Sequence, residues 1–222
     1  MTDNAVQAVV FDLDGVLIDS EPLWDDVRRA VVANAGRAWP ADATRALQGM
    51  STPEWSAYLT DVVGVPGRPE DVAATVIDGM VARYRKQLPL LPGAIEAVER
   101  LASHWPLGLA SSSPRRLIET VLDSAHLTNH FQVTVSTEEV AAGKPSPAVY
   151  NEVVRRLGAD VSRVVAIEDS SNGLRSASAA GVHVIAAPNP TYPPQPDALA
   201  LASAVVTSLD DLTPALVASL VP

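Results

Sequence analysis

The sequence predicts an alternating α/β protein: a parallel sheet covered on both faces, with an all-helical insert directly after the first strand. Three observations predict this. Short, continuous apolar runs end abruptly in polar residues, as fully buried parallel strands do. Segments with recognisable helix ends separate those runs. Residues 19–88 break the rhythm and hold no strand-like run.

Val6 to Phe11 is the first apolar run and stops at Asp12. Leu107 to Ala110, Val164 to Ile167 and Val182 to Ala186 behave alike, and Val133 to Val135 is a weaker fifth. Between them, Ser113-Pro114 reads as an N-cap and first helical position, opening a helix towards Ala125. Ser146-Pro147 opens another that Gly158 closes, and a third runs from about Asn172 to Gly181. Thr213-Pro214 begins a last helix. In the insert, Glu21-Pro22 starts a helix with Leu23, Val27, Ala30, Val31 and Asn34 on one face. Thr52-Pro53 starts a second with Trp55, Leu59, Val62 and Val63. Pro69 starts a third with Val72, Val76, Met80 and Tyr84. Pro188 to Pro196 holds five prolines and reads as an ordered or semi-rigid loop.

Composition narrows the chemistry. The 222 residues are 47% apolar, enough for a sizeable core. There is no cysteine, which removes disulfides, thiolate metal sites and cysteine nucleophiles, and suits a cytoplasmic location. No signal peptide or membrane-length apolar stretch is visible. A net charge of −10 argues against nucleic acid as partner. A small anion can still enter if a metal supplies positive charge locally. The chain holds 14 arginines but only two lysines, Lys86 and Lys144.

In open parallel sheets, ligands bind outside the carboxyl ends of the strands. Asp12-Leu13-Asp14-Gly15 follows the first strand and Ser111-Ser112-Ser113-Pro114 the second. Gly143-Lys144-Pro145 follows the weak strand, and Glu168-Asp169-Ser170-Ser171-Asn172-Gly173 the fourth. Carboxylates gathered on one rim repel unless a cation sits among them, and an all-oxygen donor set favours magnesium. Asp12, at the rigid strand end, suits a nucleophile. Asp14 suits an acid that protonates a leaving oxygen and then activates water. Ser111 and the amides of the following helix suit the phosphate oxygens. Lys144 suits the charge developing between phosphate and nucleophile.

Each part has a plainer reading. Ser113 can simply cap its helix. Gly-Lys-Pro can be a turn, and Glu168 and Asp169 can favour a helix N-terminus. Four such features, each at a strand end, are better explained by one site. His104, His126, His130 and His183 lack ligand spacing, and Trp24, Trp39 and Trp55 read as packing within the insert. No GxSxG context supports serine hydrolysis.

The segments FDLDGVLIDSEPLW (11–24), ASSSP (110–114), GKPSPAVY (143–150) and EDSSNG (168–173) resemble the four motifs of the haloacid dehalogenase superfamily. They are most similar to the branch of beta-phosphoglucomutase and the sugar-phosphate and hexitol-phosphate phosphatases. The resemblance implies a doubly wound, Rossmann-like core (1–18 and 89–222) with a small helical cap (19–88). It implies Asp12 as the nucleophile that takes the phosphoryl group and Asp14 as acid and base. Ser111, with Ser112, binds phosphate, and Lys144 orients phosphate and nucleophile. Magnesium is held by Asp12, the Asp14 backbone carbonyl and Asp169, with Glu168 at the metal directly or through water. The dehalogenases lack the second aspartate, so Asp14 argues against dehalogenation.

The expected activity is hydrolysis of a small phosphomonoester, a sugar or polyol phosphate, by a monomer. A sugar phosphomutase is the alternative, and a non-catalytic module is disfavoured by the complete set Asp12, Asp14, Lys144 and Asp169. Beta-phosphoglucomutases carry a Gly-x-Ser-Arg cap motif whose arginine grips the remote phosphate. The counterpart is Gly49-Met50-Ser51-Thr52, which reads Thr52 as a substrate contact and helix N-cap without the mutase's charge. Arg83 or Arg85 could substitute for it.

Overall fold

In the computed structural model, which describes residues 5–47, 50–191 and 193–221, the first apolar run becomes β1 (Ala8–Phe11), buried throughout. The other runs become β2 (Leu107–Ser111), β3 (Phe131–Ser136), β4 (Val164–Glu168) and β5 (His183–Ala186). β3 lies at the sheet edge and is only partly buried along its middle, so its apolar signal is the weakest. A sixth strand, β6 (Ala204–Val205), pairs with β5 at the opposite edge and was not expected. Two residues, with Val205 54% exposed, leave no continuous buried run to read.

Every neighbouring pair is parallel. The order is β3-β2-β1-β4-β5-β6, so β1 is central and the winding reverses between β1 and β4. That reversal is where a doubly wound sheet opens a crevice beyond its strand ends. The polar residues that terminate β1, β2 and β4 therefore face one rim.

By internal contacts the chain divides into Met1–Asp19 with Pro89–Pro222, and Ser20–Leu88. The two connecting segments pair with each other, with an antiparallel bridge between Ile18 and Leu90. Asp19 N–H donates to Pro89 O at 2.9 Å and Leu91 N–H to Leu17 O at 3.0 Å.

Ser20–Leu88 contains α1 (Glu21–Asn34), α2 (Ala43–Leu47), α3 (Thr52–Ala57) and α4 (Pro69–Lys86). The α4 face is as expected: Val72, Val76, Met80 and Tyr84 are all buried. α1 departs from its expected face. It buries Trp24, Val27, Arg28 and Val32, while Ala30 and Asn34 are exposed. The stripe is displaced because a cation, Arg28, occupies a core-facing position. The α3 expectation also shifts. A π-helical turn at Tyr58–Val62 follows α3 and turns Val62 outward to 65% exposure. The N-cap of α3 is Ser51, not Thr52: its N–H and hydroxyl both donate to Glu54, and Thr52 is the first helical residue. Gly49 of the expected cap motif lies outside the described residues.

The other unit holds α5 (Ala94–Ala102), α6 (Arg115–Ser124), α7 (Ala148–Leu157), α8 (Ser171–Ala180), α9 (Pro196–Leu199) and α10 (Pro214–Ala218). α7 and α8 cover the sheet face that presents Ala8, Val10, Ala110, Ala166 and Val184. Gly108 makes the close approach of α7 possible. A Cβ there would stand 2.5 Å from Val153 Cγ1 and 3.1 Å from Leu157 Cδ1. The expected C-terminal ends of α7 and α8 are present, with Gly158 and Gly181 both left-handed after the last turn, whereas the N-cap of α7 is Pro147 and not Ser146. Thr213 caps α10 by accepting from Leu216 N–H.

Candidate active site

Parallel pairing aligns the first, second and fourth motifs. Phe11 sits beside Leu109 and Ile167, so Asp12, Ser111 and Glu168 emerge within about one residue of each other along the rim. Asp12 N–H still donates to Ile167 O at 3.0 Å, which anchors its backbone to the sheet. Lys144 comes from the turn before α7 and reaches the same place. Its Nζ stands 2.9 Å from Asp12 Oδ1 and 2.5 Å from Glu168 Oε1, with all three side chains buried.

Glu168 is fully buried and its oxygens are well supplied with donors. Oε1 also accepts from Tyr150 Oη at 2.7 Å, and Oε2 from Asp169 N–H at 3.2 Å. Asp169 differs: its Oδ1 is buried and has no hydrogen-bond partner among the described residues. Oxygens of Asp12, Glu168 and Asp169 all lie within 4.8 Å of one another. A buried orphan oxygen inside a three-carboxylate cluster is the environment a hard cation completes, and the donor set, all oxygen, fits magnesium. Gly15 lets the cluster close. It is left-handed at φ +81°, and a Cβ on it would lie 2.0 Å from Asp169 Oδ2.

Burial raises the Asp12 carboxyl to about 7, helped by Glu168 and opposed by Lys144. Burial, Glu168 and Asp12 likewise hold Asp169 well above the ordinary aspartate range. For Lys144, burial works against the charged form but Asp12 and Glu168 outweigh it, so the ammonium is held. Tyr150 is pushed well above its usual value by burial and by Glu168, and stays a donor. The site is short of positive charge with one lysine alone.

Asp14 does not join the three-carboxylate group through its side chain. Its Oδ2 accepts from Ser113 Oγ at 2.7 Å. Ser113 is therefore not the helix cap that its position beside proline suggested. Pro114 is the capping residue, and the serine turns inward to hold Asp14. Ser111 is fully buried and its Oγ accepts from Ser113 N–H at 3.0 Å, whereas Ser112 is exposed. The same loop is braced from β3. Ser136 Oγ donates to Ser113 O at 2.7 Å, and Arg115 N–H donates to Glu138 Oε2 at 2.9 Å. Ser113, Tyr150, Ser136 and Glu138 escaped sequence reasoning as site-building residues. Only Ser113 and Tyr150 lay in motifs that could have flagged them. Thr52, the remaining candidate, lies in the Ser20–Leu88 unit.

The description haloacid dehalogenase-like hydrolase matches residues 6–181, which takes in every strand that forms this rim. The chain belongs to that family. The hydrolase is 36% identical over 218 residues to hexitol phosphatase B of Escherichia coli K12, covering 96% of each chain. It is 33% identical over 181 residues to the phosphorylated carbohydrates phosphatase of Thermotoga maritima, covering 81% of this chain and 84% of the other. Among solved structures, CbbY from Rhodobacter sphaeroides in complex with phosphate superposes with a TM-score of 0.86 at 25% identity, over 96% of this chain and 99% of that one. No helix among the described residues of the hydrolase is long and apolar enough to cross a membrane.

Proposed function

We propose that this hydrolase releases inorganic phosphate from a small phosphomonoester, a sugar or polyol phosphate, through a covalent phosphoryl group on Asp12. The observation that carries this reading is the buried Asp12 carboxylate, flanked by a held ammonium and by a second aspartate on a serine hydroxyl. The names of the two phosphatase relatives point to the same substrate class.

Asp12, Glu168 and Asp169 would hold magnesium together with the Asp14 backbone carbonyl. A bound magnesium supplies the positive charge that lets a phosphate approach an acidic rim. Lys144 opposes the burial that raises Asp12, favouring its ionised form, and meets the oxygens of the transferring group. An Asp12 oxygen attacks phosphorus, the ester P–O bond breaks, and Asp14 delivers its proton to the departing alkoxide. Asp14, now ionised, takes a proton from water, whose oxygen attacks the same phosphorus. The acyl-phosphate P–O bond breaks and Asp12 is regenerated. Ser111 and Ser112, with the loop amides, hold the non-transferring oxygens. The helical unit serves as the cap that selects the leaving group, with Thr52 among its contacts.

The test is a panel of hexitol, hexose and pentose phosphates with magnesium, run on the wild type and on Asp12→Asn. Phosphate release from members of the panel is expected, with turnover reduced on the order of a thousandfold or more in a folded Asp12→Asn. A folded variant that keeps its turnover removes Asp12 as nucleophile. No release from any ester by the wild type removes the phosphatase assignment.

A further inference from the structure

The loop from α5 into β2 and the 3-10 turn Thr128–His130 before β3 meet at the end of the sheet away from the rim. Between them lies a cleft of about 560 Å3, in the size range of small-molecule sites. It belongs wholly to the unit formed by Met1–Asp19 and Pro89–Pro222. Its residues precede or open β2 and β3, whereas the rim follows the strands. The five residues of β2 therefore put cleft and rim on the order of 15 Å apart.

Two features mark this cleft as a place for a ligand. The first is His130, whose Nδ1 is buried with no hydrogen-bond partner among the described residues. A buried polar atom without a partner costs free energy, and a ligand in the cleft that His130 lines would supply one. The second is an aromatic wall. Trp105 is partly buried and lies against the His104 ring, with centroids 5.5 Å apart and a tilt of 39°. His104 is itself oriented. Ser103 Oγ donates to Arg100 O at 2.7 Å. His104 Nδ1, 2.9 Å from that hydroxyl oxygen and 3.1 Å from Arg100 O, therefore faces two acceptors and carries the hydrogen. Its Nε2 keeps the lone pair as an unused acceptor.

The lining decides the chemistry of the ligand. No lysine, arginine, aspartate or glutamate lines the cleft, so neither an anion nor a cation finds a counter-charge there. Asn129 and Gln132, both exposed at its edge, each offer a donor and an acceptor. A transition metal would have only the two imidazoles, fewer than the three or four protein ligands such a site takes. Among the described residues, the one group of three metal-ligating side chains is at the rim. An indole face ringed by amides and imidazoles matches a flat, uncharged ring with donors and acceptors on its edge. We infer that this cleft binds an uncharged nitrogen heterocycle of the nucleobase type. The ring stacks on Trp105, and its edge meets His130 Nδ1 and the amides of Asn129 and Gln132. The site is separate from the rim and does not depend on the function proposed above.

The test titrates adenosine, guanosine, cytidine and uridine, which carry no phosphate, into the full chain in excess chelator, followed by calorimetry. The wild type should bind at least one of them saturably, at one site per chain. Trp105→Ala should weaken that binding by about tenfold or more, the loss expected for one stacked base. His130→Ala should weaken it as well, while His130→Asn, whose amide can stand where Nδ1 stood, should keep most of it. Gln132→Ala alters an exposed side chain, so it stays informative should the other variants fail to fold, and it too should bind more weakly. Asp12→Asn should bind the nucleoside as the wild type does, because the rim is not the site. No saturable binding of any of the four overturns the inference. So does binding that Trp105→Ala, His130→Ala and Gln132→Ala leave unchanged, or that Asp12→Asn alone abolishes.

Discussion

Crowded carboxylates at the rim make the metal-free protein sensitive to pH in a direction that can be worked out. Burial places Asp12 at about 7 and Asp169 well above an ordinary aspartate, whereas in the unfolded chain both titrate near 3.8. Between these values the folded state binds more protons than the unfolded state. Stability of the metal-free protein therefore falls as pH rises from about 4 to about 7. If the cluster holds magnesium as proposed, the ion would bind the deprotonated carboxylates and offset their repulsion, so its stabilising effect should grow over the same interval. Thermal melting in chelator should show a higher Tm at pH 5.5 than at pH 7.5, and the increase on adding magnesium should be larger at pH 7.5. An equal magnesium increment at both pH values would mean that the cluster is not the metal site.

At the scale of elements, the packing of α7 on the sheet depends on a missing side chain. α7 buries Val149, Tyr150, Val153 and Val154, and it carries Tyr150 to Glu168. Gly108→Ala places a methyl 2.5 Å from Val153 Cγ1 in a fully packed layer, so something must shift. Overpacking of this kind costs about 1–3 kcal/mol. Because displacement of α7 also moves Tyr150, the variant should lose both Tm and part of its turnover, measured by melting and steady-state kinetics. A Gly108→Ala protein with wild-type Tm would show that the helix and sheet have room to part. The π-helical turn after α3 and the inward Ser113 are of the same kind. Each is set by what the neighbouring element offers, the first by the packing of the helical unit and the second by Asp14 across the rim.

For the molecule as a whole, the open choice is between water and a sugar as final acceptor. A mutase must retain a bisphosphorylated intermediate while it reorients, which asks for a charge-assisted contact worth about 1.5–3 kcal/mol at the remote phosphate. Thr52, first residue of α3, offers a hydroxyl and no charge. On the proposed mechanism, without that contact retention would fall by roughly one to two powers of ten, and water would reach the phosphorylated Asp12 first. Incubation with beta-glucose 1-phosphate and a trace of glucose 1,6-bisphosphate should therefore give inorganic phosphate ahead of glucose 6-phosphate. The reverse order would overturn the phosphatase reading.

The α/β alternation, the helical insert and the order of the rim motifs were legible because each follows from local pattern. A buried parallel strand must be apolar along its length, a helix must begin and end with residues that satisfy or avoid its free backbone groups, and the chain passes the rim in sequence order. Asp12, Ser111, Lys144 and Glu168 could be placed together on that basis alone. Other features depended on partners far away in sequence. β6 is too short to leave a periodic signal, and it exists because β5 offers an edge. Ser113 beside Pro114 carries a cap signature, yet its hydroxyl donates to Asp14, 99 residues earlier, and does not accept from an N–H of its own helix. Arg28 sits at a core position because two indoles accept its charge, and charge in a sequence pattern otherwise reads as surface. Composition and periodicity determined which elements form. The tertiary structure decided which polar groups find each other, because hydrogen bonds and ion pairs depend on distance in space and not along the chain.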